Sequence, residues 1–138
     1  MQHTPKVNGI FETCLYTRDL ATTGRFYREI IGLEVVLEDA ERYVFFRCGN
    51  GMLLVFDLDS ARGGESDPPP HGAAGPIHMA FSVPPDALEA WREYLTANGV
   101  AIERTIDWPH GVRSIYIRDP AGNSIEFTTP ALWPTVRG

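Results

Sequence analysis

Cysteine is scarce in this sequence: the 138 residues hold two, Cys14 and Cys48. Both fall inside strand-like stretches, which argues against a disulfide framework or a cysteine-built zinc site and suits small buried hydrophobes. Basic charge is also short, with 12 Lys and Arg against 18 Asp and Glu, a net charge of −6. No basic face is large enough to neutralise a run of phosphates, so neither nucleic acid nor an anionic membrane is expected as a partner. Long hydrophobic runs are missing too. The longest purely apolar run, Met52 to Phe56, is far too short to span a bilayer, and the opening MQHTPKVNG lacks the apolar stretch of a secretion signal. The expectation is a cytoplasmic protein.

What is present is a repeat. The hydrophobic content of 43% is that of an ordinary globular protein, and 138 residues suit one domain or two small halves sharing a core. GIFETCLYT, residues 9–17, reads as a strand. Asp19 can cap a helix whose apolar positions Leu20, Phe26, Tyr27, Ile30 and Ile31 recur at helical spacing and which Gly32 ends. Strands follow near 33–38, 42–48 and 52–57. After a connection rich in Pro, Gly and Asp the order recurs: strand 76–83, helix 86–98 ended by Gly99, then strands near 100–106, 113–118 and 123–128. Arg47 and Arg118, Gly51 and Gly122, Val55 and Glu126, and Phe56 and Phe127 all lie 71 residues apart. The expected fold is α+β, a single domain of two tandem βαβββ modules, about 8–58 and 76–130, joined by a linker of about 59–75. Their curved mixed sheets enclose a cleft, with the helices on the outer face.

Strand parity says which residues look away from the helices. In the fifth strand Ile77, Met79, Phe81 and Val83 form an apolar face, leaving His78, Ala80 and Ser82 on the other. In the last strand Ile125 and Phe127 point to the helix layer, so Glu126 points to the cleft with Ser124 and Thr128. Glu12 shares the open face of the first strand with Cys14 and Tyr16. Two carboxylates and one imidazole on a common face make a half-shell for a divalent ion, because the carboxylates would otherwise repel. The ion could be Mn, Fe(II), Ni, Co, Zn or Mg. The plainer readings are a hydrogen-bonded core histidine and carboxylates paired with Arg104, Arg113 or Arg118. Tyr116 shares cleft parity with Ser114 and either donates a hydrogen bond to substrate or makes a cross-strand aromatic pair. His110, in the loop DWPHGVRS, is a candidate substrate-side acid or base, or an exposed loop residue. Trp108 and Phe46 either line an apolar pocket or fill space. Arg118 and Asp119 are expected to pair across the final hairpin, with Asp119 and Asn123 serving its turn.

GPIHMAFSV, RSIYIRDPAGNSIEF and FETCLYTRDLATTGRFYREIIGLEV together resemble the vicinal oxygen chelate superfamily of glyoxalases, bleomycin-resistance proteins, fosfomycin-resistance thiol transferases and extradiol dioxygenases. The resemblance spans about residues 8–130. It implies metal ligation by His78, Glu126 and Glu12, with Glu126 as base and Tyr116 as a catalytic hydrogen-bond donor. Ser114 and Tyr116 match substrate-contacting positions of the fosfomycin-resistance enzymes. Val55 stands where four-ligand members supply a carboxylate. A small-molecule substrate and a homodimer are further implications, and the apolar tail segment ALWP is a possible dimer contact. The competing implication is a metal-free protein that sequesters a small molecule, as bleomycin-resistance members do.

Overall fold

The computed structural model describes residues 4–63 and 68–133, so part of the linker, and of the tail the segment from Pro134, lie outside the described residues. The first module runs β1 (Glu12–Thr17), α1 (Leu20–Arg25), β2 (Glu34–Asp39), β3 (Tyr43–Cys48) and β4 (Gly51–Asp57). A short helix α2 (Leu58–Arg62) follows, in the stretch expected to be linker. The second module runs β5 (His78–Ser82), α3 (Leu88–Ala97), β6 (Arg104–Asp107), β7 (Arg113–Arg118) and β8 (Ser124–Thr128). Each module folds into a four-stranded sheet, ordered β1-β4-β3-β2 in the first and β5-β8-β7-β6 in the second. The edge pairs β1·β4 and β5·β8 are parallel and the others antiparallel. These are the two βαβββ units that the repeat implies.

Local chemistry explains the first helix. The Asp19 carboxylate accepts from the Thr22 amide at 3.1 Å, satisfying an N–H that the first turn leaves free. Past Arg25 the helix widens to the i→i+5 pitch over Phe26–Ile31, and Gly32 ends it at φ 84°, a conformation that costs glycine least. A Cβ on Gly24 would stand 3.2 Å from Val44 Cγ2, so its absence lets the helix lie close on β3.

One core serves both modules. Leu15, Tyr27, Phe46, Leu53 and Val55 from the first belong to the same cluster as Leu95, Ile115, Ile117, Ile125 and Phe127 from the second. Trp91 of α3 stacks on Phe127 with ring centroids 5.0 Å apart. A buried polar joint crosses between the halves: the Tyr27 hydroxyl donates to Asp119 Oδ2 at 2.7 Å. Asp119 Oδ1 also accepts from the amides of Ala121 and Asn123, each at 2.9 Å. Burial and the Asp119 charge push the Tyr27 phenol well above its ordinary pKa.

Two expectations about the hairpins are corrected. Arg118 does not pair with Asp119 but grips Glu103, with Nη2 donating to Oε1 at 3.0 Å, and also donates to the Gly122 carbonyl at 3.0 Å. The constant offset of 71 also breaks. In the first hairpin Arg47 pairs with Met52, whereas in the second Arg118 pairs with Ser124. The second turn is therefore one residue longer, and every residue of β8 moves one position relative to β4. Val55 packs in the core at 0% exposure, and the position matching Glu126 is Leu54. Pairing confirms the shift: Leu54 sits between Cys14 and Phe45 as Glu126 sits between Ala80 and Tyr116.

Candidate functional site

On the open face of the second sheet, His78, Glu126, Ser114 and Tyr116 come together. The parallel register sets Glu126 beside Ala80 and His78 beside Ser124, while β7 brings Tyr116 opposite Glu126. His78 Nε2 lies 3.2 Å from Glu126 Oε1. His78 Nδ1 lies 3.1 Å from the Ser124 carbonyl oxygen, which can only accept, so Nδ1 carries the proton. In the neutral ring Nε2 is then a bare lone pair facing a carboxylate oxygen. Two such acceptors stay this close only with a proton or a cation between them.

The second carboxylate oxygen is engaged elsewhere. Ser114 donates to Glu126 Oε2 at 2.5 Å, and Trp108 Nε1 donates to Ser114 Oγ at 2.9 Å. An indole N–H has no acceptor role, so this chain has one possible direction and the serine proton must point at Glu126. Glu126 is 6% exposed and Ser114 fully buried. Oε1 is thus the oxygen that faces His78. Arg113 pairs with Asp107 at 2.6 Å and Arg118 with Glu103, so neither takes the arginine-partner role considered for Glu126.

The spacing of this ion pair is also that of two ligands sharing one divalent ion. With metal–ligand distances of about 2.1 Å, neighbouring ligands stand about 3.0 Å apart in an octahedron and about 3.4 Å apart in a tetrahedron. The observed 3.2 Å falls between. The Nδ1 contact to Ser124 and the Oε2 contact to Ser114 are outer partners of the kind that orient metal-binding imidazoles and carboxylates.

The remaining expected residues are placed differently. Glu12 is exposed on β1 and lines a cavity whose walls come from the first module and the linker. Among the described residues no three His, Cys, Asp or Glu side chains are close enough to share an ion within one chain. Ser114, expected as a substrate contact, is buried, with its hydroxyl between Trp108 Nε1 and Glu126 Oε2. Tyr116 is half-buried, its ring 6.3 Å from that of His78, and burial followed by the Glu126 charge raises its phenol pKa, so it remains a donor. His110 is exposed at φ 68°, in a turn (Pro109–Gly111) outside the hydrogen-bonded group above. Phe46 fills the core and Trp108 is a hydrogen-bond donor. Cys14 is partly buried, and burial, then the Glu12 charge, raises its thiol pKa, as suits an unreactive cysteine.

His71, to which the sequence assigns no role, lines the cavity of the first module. Its Nδ1 is 2.6 Å from the Tyr16 hydroxyl, and its ring meets Phe56 edge-on at 4.7 Å. No periodicity marks a linker histidine; only the proline-flanked return of the chain over β1 places it.

Comparison with known proteins is consistent with this geometry. Residues 9–127 match the model of the Glyoxalase/Bleomycin resistance protein/Dioxygenase superfamily. The chain belongs to that superfamily. A metallothiol transferase FosB from Staphylococcus saprophyticus is 30% identical over 116 residues, covering 83% of this chain and 72% of the relative. The crystal structure of a lactoylglutathione lyase from Agrobacterium tumefaciens is 39% identical, with a TM-score of 0.90 over 95% of this chain and 100% of that one. FosX from Listeria monocytogenes, 20% identical with a TM-score of 0.67 over 90% of this chain and 93% of that one, shares the fold.

Proposed function

We propose that the protein is a divalent-metal-dependent enzyme acting on adjacent oxygens of a small molecule, with His78 and Glu126 of one chain and Glu12 of a second copy as ligands. The observation that carries this reading is the His78 Nε2 to Glu126 Oε1 pair at 3.2 Å, with the other nitrogen and the other oxygen already committed. Glu12 occupies the position in the first module that His78 occupies in the second, each being on the open face of its first strand. A homodimer that lays one module against the partner's other module would bring the three together.

A bound ion would supply Lewis-acid stabilisation of negative charge developing on substrate oxygens, worth several kcal/mol. The chain's own groups do the rest. Ser114, held by Trp108, keeps Glu126 turned so that Oε1 faces the cleft and can accept a substrate proton. Tyr116 stays protonated and donates to a substrate oxygen. The named relatives, a metallothiol transferase and a lactoylglutathione lyase, support a small-molecule substrate. The site lacks a fourth protein ligand, since Leu54 stands at the position in the first module that Glu126 holds in the second, and the proposal extends no further than the vicinal-oxygen class.

Elemental analysis of the purified protein, then calorimetric titration of its chelated form with Mn, Fe(II), Co, Ni, Zn and Mg, tests this. Tight binding of one of these ions that is lost in Glu126→Ala supports the reading. No binding of any ion sinks it and leaves a small-molecule sequestering protein.

A further inference from the structure

We propose that the open face of the first sheet is the subsite for the carbon skeleton of the substrate, and that this skeleton carries a planar aromatic ring. The proposal rests on the metal reading above for where the substrate oxygens lie; the ring subsite itself stands on the lining of the first module.

A cavity of about 440 Å³ lies on that face, with Glu12 at its border. Tyr43 and Phe45 stack with centroids 4.3 Å apart and planes at 20°, and Phe56 stands 5.3 Å from Phe45 at 65°. His71 closes the row edge-on to Phe56 and is fixed by the Tyr16 hydroxyl. Tyr43, Phe45 and Phe56 are only partly buried, so the face leaves aromatic surface in contact with water. Offset and edge-to-face walls of this kind accept another ring in the arrangements that aromatic quadrupoles favour. Rings wall the cavity while Glu12, Arg42, Ser60 and His71 supply polar groups around them, and its volume is that of a small-molecule site.

Charge decides against a strongly anionic skeleton. Among the described residues that line the cavity Arg42 is the one guanidinium or ammonium, and it is paired with Asp39 at 3.1 Å while lying 5.4 Å from the Tyr43 ring centroid. Glu12 adds a negative charge at the rim. A phosphonate would meet a neutralised cation and a carboxylate, whereas an aryl group would meet rings.

The test compares two probes with the same vicinal oxygens, 1-phenylethane-1,2-diol and propane-1,2-diol, by calorimetric titration of the chelated and the metal-loaded protein. The phenyl probe is expected to bind about tenfold more tightly in both forms, the size of effect one well-placed ring contact gives. Phe45→Ala and Phe56→Ala should abolish that preference without changing metal affinity. Phe45→Leu, which keeps the apolar bulk and hence the fold, should reduce it. Equal affinity for the two probes, or a ring preference that survives all three variants, overturns the proposal. A protein that binds no metal yet shows the ring preference and loses it in the variants keeps this proposal and loses the metal reading; metal binding without ring preference does the reverse.

Discussion

The two modules share one topology and present opposite chemistry on their open faces. Position by position, Glu12 stands where His78 does, Phe45 where Tyr116 does, Leu54 where Glu126 does and Tyr43 where Ser114 does. The core faces are alike, with Leu15, Val44, Leu53 and Val55 answering to Phe81, Ile115, Ile125 and Phe127, all buried. Packing constrains the inward face in both halves, while the outward face is free to diverge. One half has become a hydrogen-bonded polar cluster around a carboxylate, the other an aromatic wall with a carboxylate at its border. A two-fold scaffold of this kind supplies a charged floor and an apolar wall from one fold.

The sharpest way to break the comparison is through register. Val55→Glu buries a carboxylate in the shared core and should cost on the order of 3–5 kcal/mol or prevent folding. Leu54→Glu directs the same group to the cavity and should cost much less. Urea denaturation of both variants decides it, and equal costs would contradict the one-residue shift between the hairpins.

Next in size is the polar cluster. Glu126→Ala is expected to remove metal binding and to leave the Ser114 hydroxyl without its acceptor, costing about 1–3 kcal/mol of stability. Leu54→Ala, the matching change in the first module, should leave metal affinity unchanged. Titration calorimetry and thermal unfolding read both.

The joint between the modules affects stability and not metal binding. Tyr27→Phe removes the hydrogen bond to Asp119 and should cost about 1.5–3 kcal/mol, with metal affinity intact. The pH dependence follows from the raised Tyr27 pKa. The unfolded phenol ionises near its ordinary value of 10.0 while the folded one keeps its proton, so this stability is whole below pH 10.0 and declines as pH rises above it. Tyr27→Phe should flatten that alkaline decline in chemical-denaturation curves, whereas an unchanged slope would point to other groups.

Much of this arrangement is legible in the residues. Parity along β5 and β8 separates His78 and Glu126 from their apolar neighbours, and Asp19 and Gly32 bound the first helix as their chemistry requires. Register is harder, because a period of two says which residues share a face and nothing about the length of the next turn. Gly51 and Gly122 match at the offset of 71 yet differ in role: Gly122 is left-handed at φ 86°, whereas in the first hairpin Gly49 takes that conformation at φ 56° and Gly51 joins the strand. That is why Val55 was expected on the cleft. Contacts between distant segments leave no local mark at all. Tyr27 meets Asp119 across 92 positions and Tyr16 meets His71 across 55. The Trp108–Ser114 bond spans a turn whose shape depends on His110 at positive φ, which few sequence rules anticipate.

A further prediction concerns that bond. Ser114→Ala frees Glu126 Oε2 and should weaken metal affinity about 10- to 100-fold, the range typical of outer partners of a ligand. In the cobalt-loaded protein a carboxylate free to use both oxygens would also alter the visible spectrum, and an unchanged spectrum and affinity would deny Ser114 its orienting role.

The proposed shared site pairs the polar floor of one chain with the rim carboxylate of another. It is tested most directly by mixing two variants that bind no metal alone, Glu12→Ala and Glu126→Ala, under conditions that exchange subunits, and titrating the mixture. In a mixed dimer one shared site would keep Glu12 from one chain and His78 and Glu126 from the other, so the account predicts that metal binding returns on mixing. If both variants lose metal alone and the mixture stays without it, Glu12 does not complete a site with the His78–Glu126 pair of a second copy.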